Sequence, residues 1–155
     1  MVETELQLVV FRLGEQSFAV PIAQVREVVA AGELTPMPGW PPYLAGVLVL
    51  RGAVLPVVEL RTLLELGGEA PARRQVVVVE RPDAVFGLLV DGVSQVLRLG
   101  PEGLEPPPQV AGARGFLAGV ARTEAGLVLV LQLDRLLDRG ELSALAASVR
   151  STEGS

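Results

Sequence analysis

The chain has 155 residues, half of them apolar and a fifth charged, with a net charge of −5. That balance suits one globular domain or two small lobes, and it argues against disorder. With no Cys and no His, disulfide frameworks, thiolate nucleophiles, His general bases and nearly all zinc ligation are excluded at once.

An acidic chain without a basic cluster predicts no nucleic-acid partner and no attraction to an anionic membrane. The N-terminus, MVETELQ, is polar and acidic, unlike a signal peptide. The longest uncharged apolar stretch, Tyr43–Leu50, is too short to span a bilayer. The expectation is a soluble, cytoplasmic protein with no direct membrane insertion.

In chain order, Leu6–Leu13 reads as a strand, Gly14–Gln16 as its turn and Ser17–Val20 as a second strand. Pro21 suits the first turn of a short helix, Pro21–Gln24, ahead of an extended Val25–Ala30. Gly32–Tyr43 holds four prolines and two glycines and reads as a loop. Leu44–Leu50 and Ala53–Leu60 are two apolar, strand-length runs around Arg51-Gly52, and they predict a hairpin. Arg61–Leu66 predicts a short helix stopped by Gly67-Gly68, and Glu69–Arg74 a polar connector between lobes.

The second half repeats the first. Val9–Val29 lies on Val77–Leu97 without a gap, so that Phe18 meets Phe86, Ile22 meets Val90, Val25 meets Val93 and Val28 meets Val96. Leu44–Gly67 lies on Leu117–Gly140, again ungapped, with LAGV recurring identically. The loop Gly100–Gly115, with four prolines, absorbs the difference in spacing. Duplication accounts for two long blocks in the same order. Each copy holds about five short strands and a short helix, too little for a sandwich, so a pair of small closed or nearly closed barrels is expected. Leu142, Leu145 and Val149 predict an amphipathic helix over 141–150, and 151–155 a disordered tail.

No catalytic site emerges. Of the candidate carboxylates, Asp134 reads as a helix N-cap, Asp91-Gly92 as a turn, and Glu27 and Glu59 as exposed strand residues. Ser17, Ser94 and Ser143 lack a histidine to activate them, and no Gly-rich stretch carries the Gly-Lys-Ser/Thr of a phosphate loop. The expectation is no catalysis, no cofactor and no metal.

Gly46-Val47, Leu50-Arg51-Gly52, Pro56-Val57 and Leu60-Arg61 stand at fixed spacing. The segment resembles the G-V-x-N-L-R-G-x-x-x-P-V-x-D-L-R signature of CheW-like chemotaxis coupling proteins. It departs at Val49, where the family has Asn, and at Glu59, where it has Asp. The resemblance covers roughly residues 6–140. It implies an all-β fold of two five-stranded, SH3-like barrels packed together, forming one domain over 1–150. Lobe one is then about 14–68 and lobe two about 75–140, with the first strand, 6–13, able to join lobe two.

The resemblance also implies a function: an adaptor that holds a chemotaxis histidine kinase, through that kinase's own CheW-like regulatory domain, and the cytoplasmic tip of a chemoreceptor. Val9, Ile22, Val25, Val28 and Val93 match the receptor-binding positions; the alternative for the Ile22-Val25-Val28 spacing is core packing at a helix-to-strand junction. Glu27 and Arg51 are implied to approach each other on the coupling surface, the alternative being two solvated charges. Gly46 and Gly52 belong to the same coupling segment, and a strand glycine at 46 also suits a close backbone approach. Rival readings are an adaptor of a pilus-motility or developmental array and a stand-alone SH3-like binding or ligand-sensing module.

Overall fold

The computed structural model describes residues 5–82, 84–100, 102–107 and 115–136; the expected helix 141–150 and tail 151–155 lie outside them. The described chain runs β1 (Leu6–Leu13), β2 (Gln16–Pro21), a 3₁₀ turn (Ile22–Gln24), β3 (Val25–Ala30), β4 (Leu44–Leu50), β5 (Ala53–Glu59) and α1 (Leu60–Leu63). It continues through β6 (Gln75–Arg81), β7 (Ala84–Val90), β8 (Gly92–Leu99), β9 (Leu104–Glu105), β10 (Leu117–Thr123), β11 (Gly126–Leu131) and α2 (Leu133–Leu136). The fold is all-β, as expected. The internal repeat is present element by element: β1–β3 correspond to β6–β8, and β4, β5 and α1 to β10, β11 and α2.

The repeats exchange their first hairpins. One sheet has the order β8-β1-β2-β11-β10-β9 and the other β3-β6-β7-β5-β4. Each sheet therefore takes the first two strands of one repeat and the last three of the other. Parallel pairs at equivalent registers make the joins, Val57 beside Gly87 in one sheet and Val130 beside Ala19 in the other. The contiguous division into 14–68 and 75–140 does not describe this hydrogen bonding. The whole hairpin β1–β2 crosses, not the first strand alone, and β6–β7 crosses back. The six-stranded sheet also gains the short β9, where five strands were expected.

Both faces of the crossing hairpins are buried. In β1, Leu8 and Val10 fill one barrel while Phe11 and Leu13 join a layer between the sheets; in β6, Val76 and Val78 fill the other barrel while Val77 and Val79 join that layer. Phe18, Val20, Phe86, Leu88 and Val90 complete the layer, with Phe11 and Phe18 stacked across the β1–β2 ladder at 6.3 Å between centroids. Two-sided burial explains why Val76–Val79 is an unbroken apolar run and not an alternating one.

Each barrel closes through the chain that follows its outer strand. Beyond β3, Thr35 pairs with Val47 of β4; beyond β8, β9 pairs with Val120 and Ala121 of β10. The repeated LAGV sits at this closure. The register slips between Leu44 and Gly46, and identically between Leu117 and Gly119. A Cβ on Gly46 would run into the Thr35 carbonyl, and one on Gly119 into the Glu105 carbonyl. The recurring glycine is thus a backbone requirement of closure.

Arg51 and Gly52 form a two-residue turn with φ of 50° and 83°, the positive pair that a type I′ hairpin needs. α1 is shorter than expected. Glu65, at φ 58°, ends it in a left-handed cap, with Glu65 N–H donating to Thr62 O and Leu66 N–H to Arg61 O; Gly67-Gly68 is not the stop. Asp134 lies inside the first turn of α2 and does not precede it; its carboxylate stands 3.3 Å from Arg81.

Gly46→Ala should lower the thermal midpoint more than Gly32→Ala. Both glycines have positive φ, but a Cβ at Gly32 meets nothing within 4 Å. The expected cost at Gly46 is about 2–4 kcal/mol, a fall of at least about 5 °C. Equal effects in thermal unfolding would show that closure by Thr35 is not what fixes the glycine.

Candidate functional site: an apolar seam between the lobes

β3 and β8 are the outer strands of their sheets, and both turn apolar residues toward the shared layer. Val25 and Val28 stand opposite Val79 and Val77; Val93 and Val96 stand opposite Phe11 and Val9. Cross-strand partners share a face, so these valines continue the layer outward to its rim. The 3₁₀ turn carries the chain from β2 in one sheet to β3 in the other and touches both β1 and β6. Ile22, at its start, is 38% exposed.

The expected receptor residues therefore gather on one seam but differ in depth. Ile22 is open to solvent, Val25, Val28 and Val93 are half-buried against the shared layer, and Val9 is buried at 5%. Val9 is a floor residue, because β1 has a neighbour on both sides. Buried, half-buried and exposed positions are thus all present in this set. Val96, half exposed and facing Val9, extends the rim. Sequence reasoning missed it, although the repeat places it on Val28.

Side chains from one sheet hold the rim strand of the other. Gln75 of β6 accepts the Val93 N–H at 2.7 Å, fixing the start of β8. Beside it, Asp91 receives Arg61 Nε at 3.0 Å and Nη2 at 2.7 Å, and also the Gly14 N–H at 2.6 Å. Arg61 adds a bond to the Gly67 carbonyl. The side chains of Arg61 and Asp91 are 9% and 12% exposed. This bidentate pair pins α1, the β1–β2 turn and the β7–β8 junction together, far beyond the turn role expected of Asp91-Gly92. Burial pushes the Asp91 carboxyl up. The Arg61 hydrogen bonds, the Gly14 N–H and the charges of Arg61 and Arg74 outweigh it and leave the carboxyl below its ordinary 3.8.

Glu27 and Arg51 do approach each other. Arg51 Nη1 and Nη2 donate to the two carboxylate oxygens at 2.6 and 2.9 Å, and that hydrogen bonding holds the Glu27 carboxyl below its usual value. The pair ties outer strand β3 to the β4–β5 turn. Gly52 is exposed at the same tip, while Gly46 is buried beneath Thr35 and cannot touch a partner directly. Glu59 is not an exposed strand residue: it caps α1 by accepting the Arg61 N–H, and it pairs with Arg74 at 2.8 Å.

Among the described residues no group of three or more acidic side chains is placed to hold a metal, and no helix is long and apolar enough to cross a membrane. Two β-barrels sharing one apolar layer, with an apolar seam at its rim, define a two-lobed adaptor module. A family model for the CheW-like domain matches residues 7–141, and the chain belongs to that family. Chemotaxis protein CheW of Rhizobium meliloti (strain 1021) is 38% identical over 141 residues, covering 89% of this chain and 91% of its own. Protein FrzA of Myxococcus xanthus is 32% identical over 146 residues, covering 92% and 91%. The crystal structure of the scaffolding protein TtCheW from Thermoanaerobacter tengcongensis superposes with a TM-score of 0.83 at 28% identity, over 93% of this chain and 96% of that one.

The Arg61–Asp91 pair carries a pH signature. Because the Asp91 carboxyl is held low in the folded state, its contribution is complete above about pH 4 and is lost as pH falls through the depressed value. Asp91→Asn leaves Arg61 buried without its partner and should cost about 2–4 kcal/mol at pH 7. In denaturant titrations the gap between wild type and variant should narrow from pH 5 toward pH 2.5. A gap that is constant across this range would remove Asp91 as the titrating anchor.

Proposed function

We propose that this chain is a non-enzymatic chemotaxis adaptor that couples a histidine autokinase to chemoreceptor tips by binding both proteins at once. The observation that carries the reading is the apolar border of the shared layer: Val25 and Val28 of β3 and Val93 of β8 pack against it half-buried, while Ile22 just before β3 and Val96 on β8 are exposed. Family membership and the relatives named for chemotaxis support the same reading.

An amphipathic helix of a receptor tip supplies the matching partner. Its apolar positions at i, i+3 and i+4 meet the branched side chains of that border. The half-buried valines are held by the core, so little side-chain freedom is lost when the helix docks. The kinase side falls to the β4–β5 tip, where Arg51, Gly52 and a 64%-exposed Val49 lie beside Glu27. A barrel-for-barrel contact with the kinase's CheW-like regulatory domain suits that edge. Tethering raises the effective concentration of kinase at the receptor, and a shared rigid module lets a shift at one contact bias the other.

The two surfaces separate by substitution. Ile22→Asp should leave thermal unfolding nearly unchanged, since Asp there stays hydrated, yet weaken binding of a receptor-tip hairpin about tenfold, or about 1.4 kcal/mol. Binding of the kinase regulatory domain should be retained. Arg51→Ala should give the reverse order of losses. Loss of both partners in each variant, measured by calorimetric titration, would contradict the two-surface reading.

A further inference from the structure

The open end of the five-stranded barrel holds a cavity of about 680 Å³ between the end of β3, β5 and the connector before β6. That volume lies within the range of small-molecule sites, and barrel mouths are among the places where such sites occur. Its existence follows from a difference between the repeats. In the six-stranded barrel Leu6 faces Leu99 across the β1–β8 ladder, and both pack against the interior apolar cluster. The repeat places Arg74 and Ala31 at these two positions, and the Ala31 N–H still bonds the Arg74 carbonyl at 2.9 Å. The same register is kept, but two leucines have become an alanine and an arginine. One change opens space, and the other gives the space a charged wall.

The lining is aliphatic and small, with Ala31, Ala45, Leu34 and Leu89 among it and no aromatic ring to stack on. Its polar groups are Glu59, Thr62, Arg73 and Arg74. Glu59 is already occupied, with one oxygen accepting the Arg61 N–H and the other Arg74 Nη1. Arg74 spends one of its N–H groups there. Among the described residues, its remaining N–H groups, the Arg73 guanidinium and the Thr62 hydroxyl have no hydrogen-bond partner in the protein. The wall therefore offers donors in excess of acceptors, with two positive charges against one negative. A guanidinium edge of this kind is matched by a carboxylate, which accepts two parallel N–H bonds.

We propose that this cavity is a binding site for a small aliphatic monocarboxylate, its carboxylate on Arg74 and Arg73 and its hydrocarbon body against Ala31, Ala45 and Leu89. The site shares no lining residue with the receptor seam or the Arg51 tip, so it adds a small-molecule input to the same protein.

The test is an NMR titration of the full chain with 4-methylpentanoate, using 4-methylpentanamide as the uncharged isostere. Saturable shifts at residues around Ala31, Ala45 and Arg74 are expected, with the amide binding at least about tenfold more weakly. Arg74→Gln should weaken the acid by a similar factor and leave the amide unaffected. Ala31→Leu, which restores the leucine of the other barrel, should abolish binding while the thermal midpoint holds; Ala45→Leu fills the cavity from another wall if the first variant fails to fold. Absence of saturable shifts in the wild type, equal affinity for acid and amide, or binding that survives the filled cavity would each overturn the proposal.

Discussion

The burial of β1, β2, β6 and β7 on both faces is the constraint from which the rest of the architecture follows. One face of each strand fills a barrel and the other fills the layer between barrels. Because each hairpin is hydrogen-bonded into the sheet built mainly by the other repeat, neither repeat can complete a barrel alone. Separating the lobes would expose Phe11, Phe18, Phe86 and Leu88 together, at about 1.5–3 kcal/mol for each large side chain. The lobes therefore behave as one body. The seam at the rim is a property of their union, since β3 comes from one repeat and β8 from the other.

Near-symmetric scaffolds carry unlike chemistry at equivalent positions. The repeat sets Glu27 on Gln95 and Arg51 on Glu124, so the Glu27–Arg51 pair has no counterpart at the equivalent positions of the other barrel, which instead joins Arg122 of β10 to Glu105 of β9. It sets Arg61 on Asp134 and Asp91 on Ala23, so the buried bidentate pair of one corner cannot form at the equivalent positions of the other. It sets Ala31 on Leu99, so one barrel end is filled by leucine where the other is open. What the copies share is what closure demands, namely the glycine of LAGV, the register slip beside it and the apolar layer. What they do not share is the buried Arg61–Asp91 corner, together with surfaces and ends that a partner or ligand can reach.

Much of this was legible in the chain, for physical reasons that also mark the limit. Strand lengths, the Arg51-Gly52 turn and the duplication are local or linear patterns, and they were read correctly. Hairpin exchange was not, because β1–β2 presents the same pattern whichever sheet receives it. The approach of Glu27 to Arg51 was reached through resemblance to a family signature. The Arg61–Asp91 anchor left one signal, an arginine set directly behind an apolar strand, but nothing local names a partner 30 residues away. Depth was the other hidden variable. Val9, Val25 and Val96 look alike in sequence, and only their place in the sheet order makes one a floor, one a wall and one a rim.

The central claim is that one binding seam is built from both halves of the chain. Amide hydrogen exchange of the full protein with and without a receptor-tip hairpin addresses it directly. Slowed exchange should appear together, and saturate at one concentration, in the segment 22–28 and in the segment 93–96, while the β10–β11 tip stays unchanged. Protection confined to one of those segments, or found instead at the hairpin tips, would contradict a shared seam.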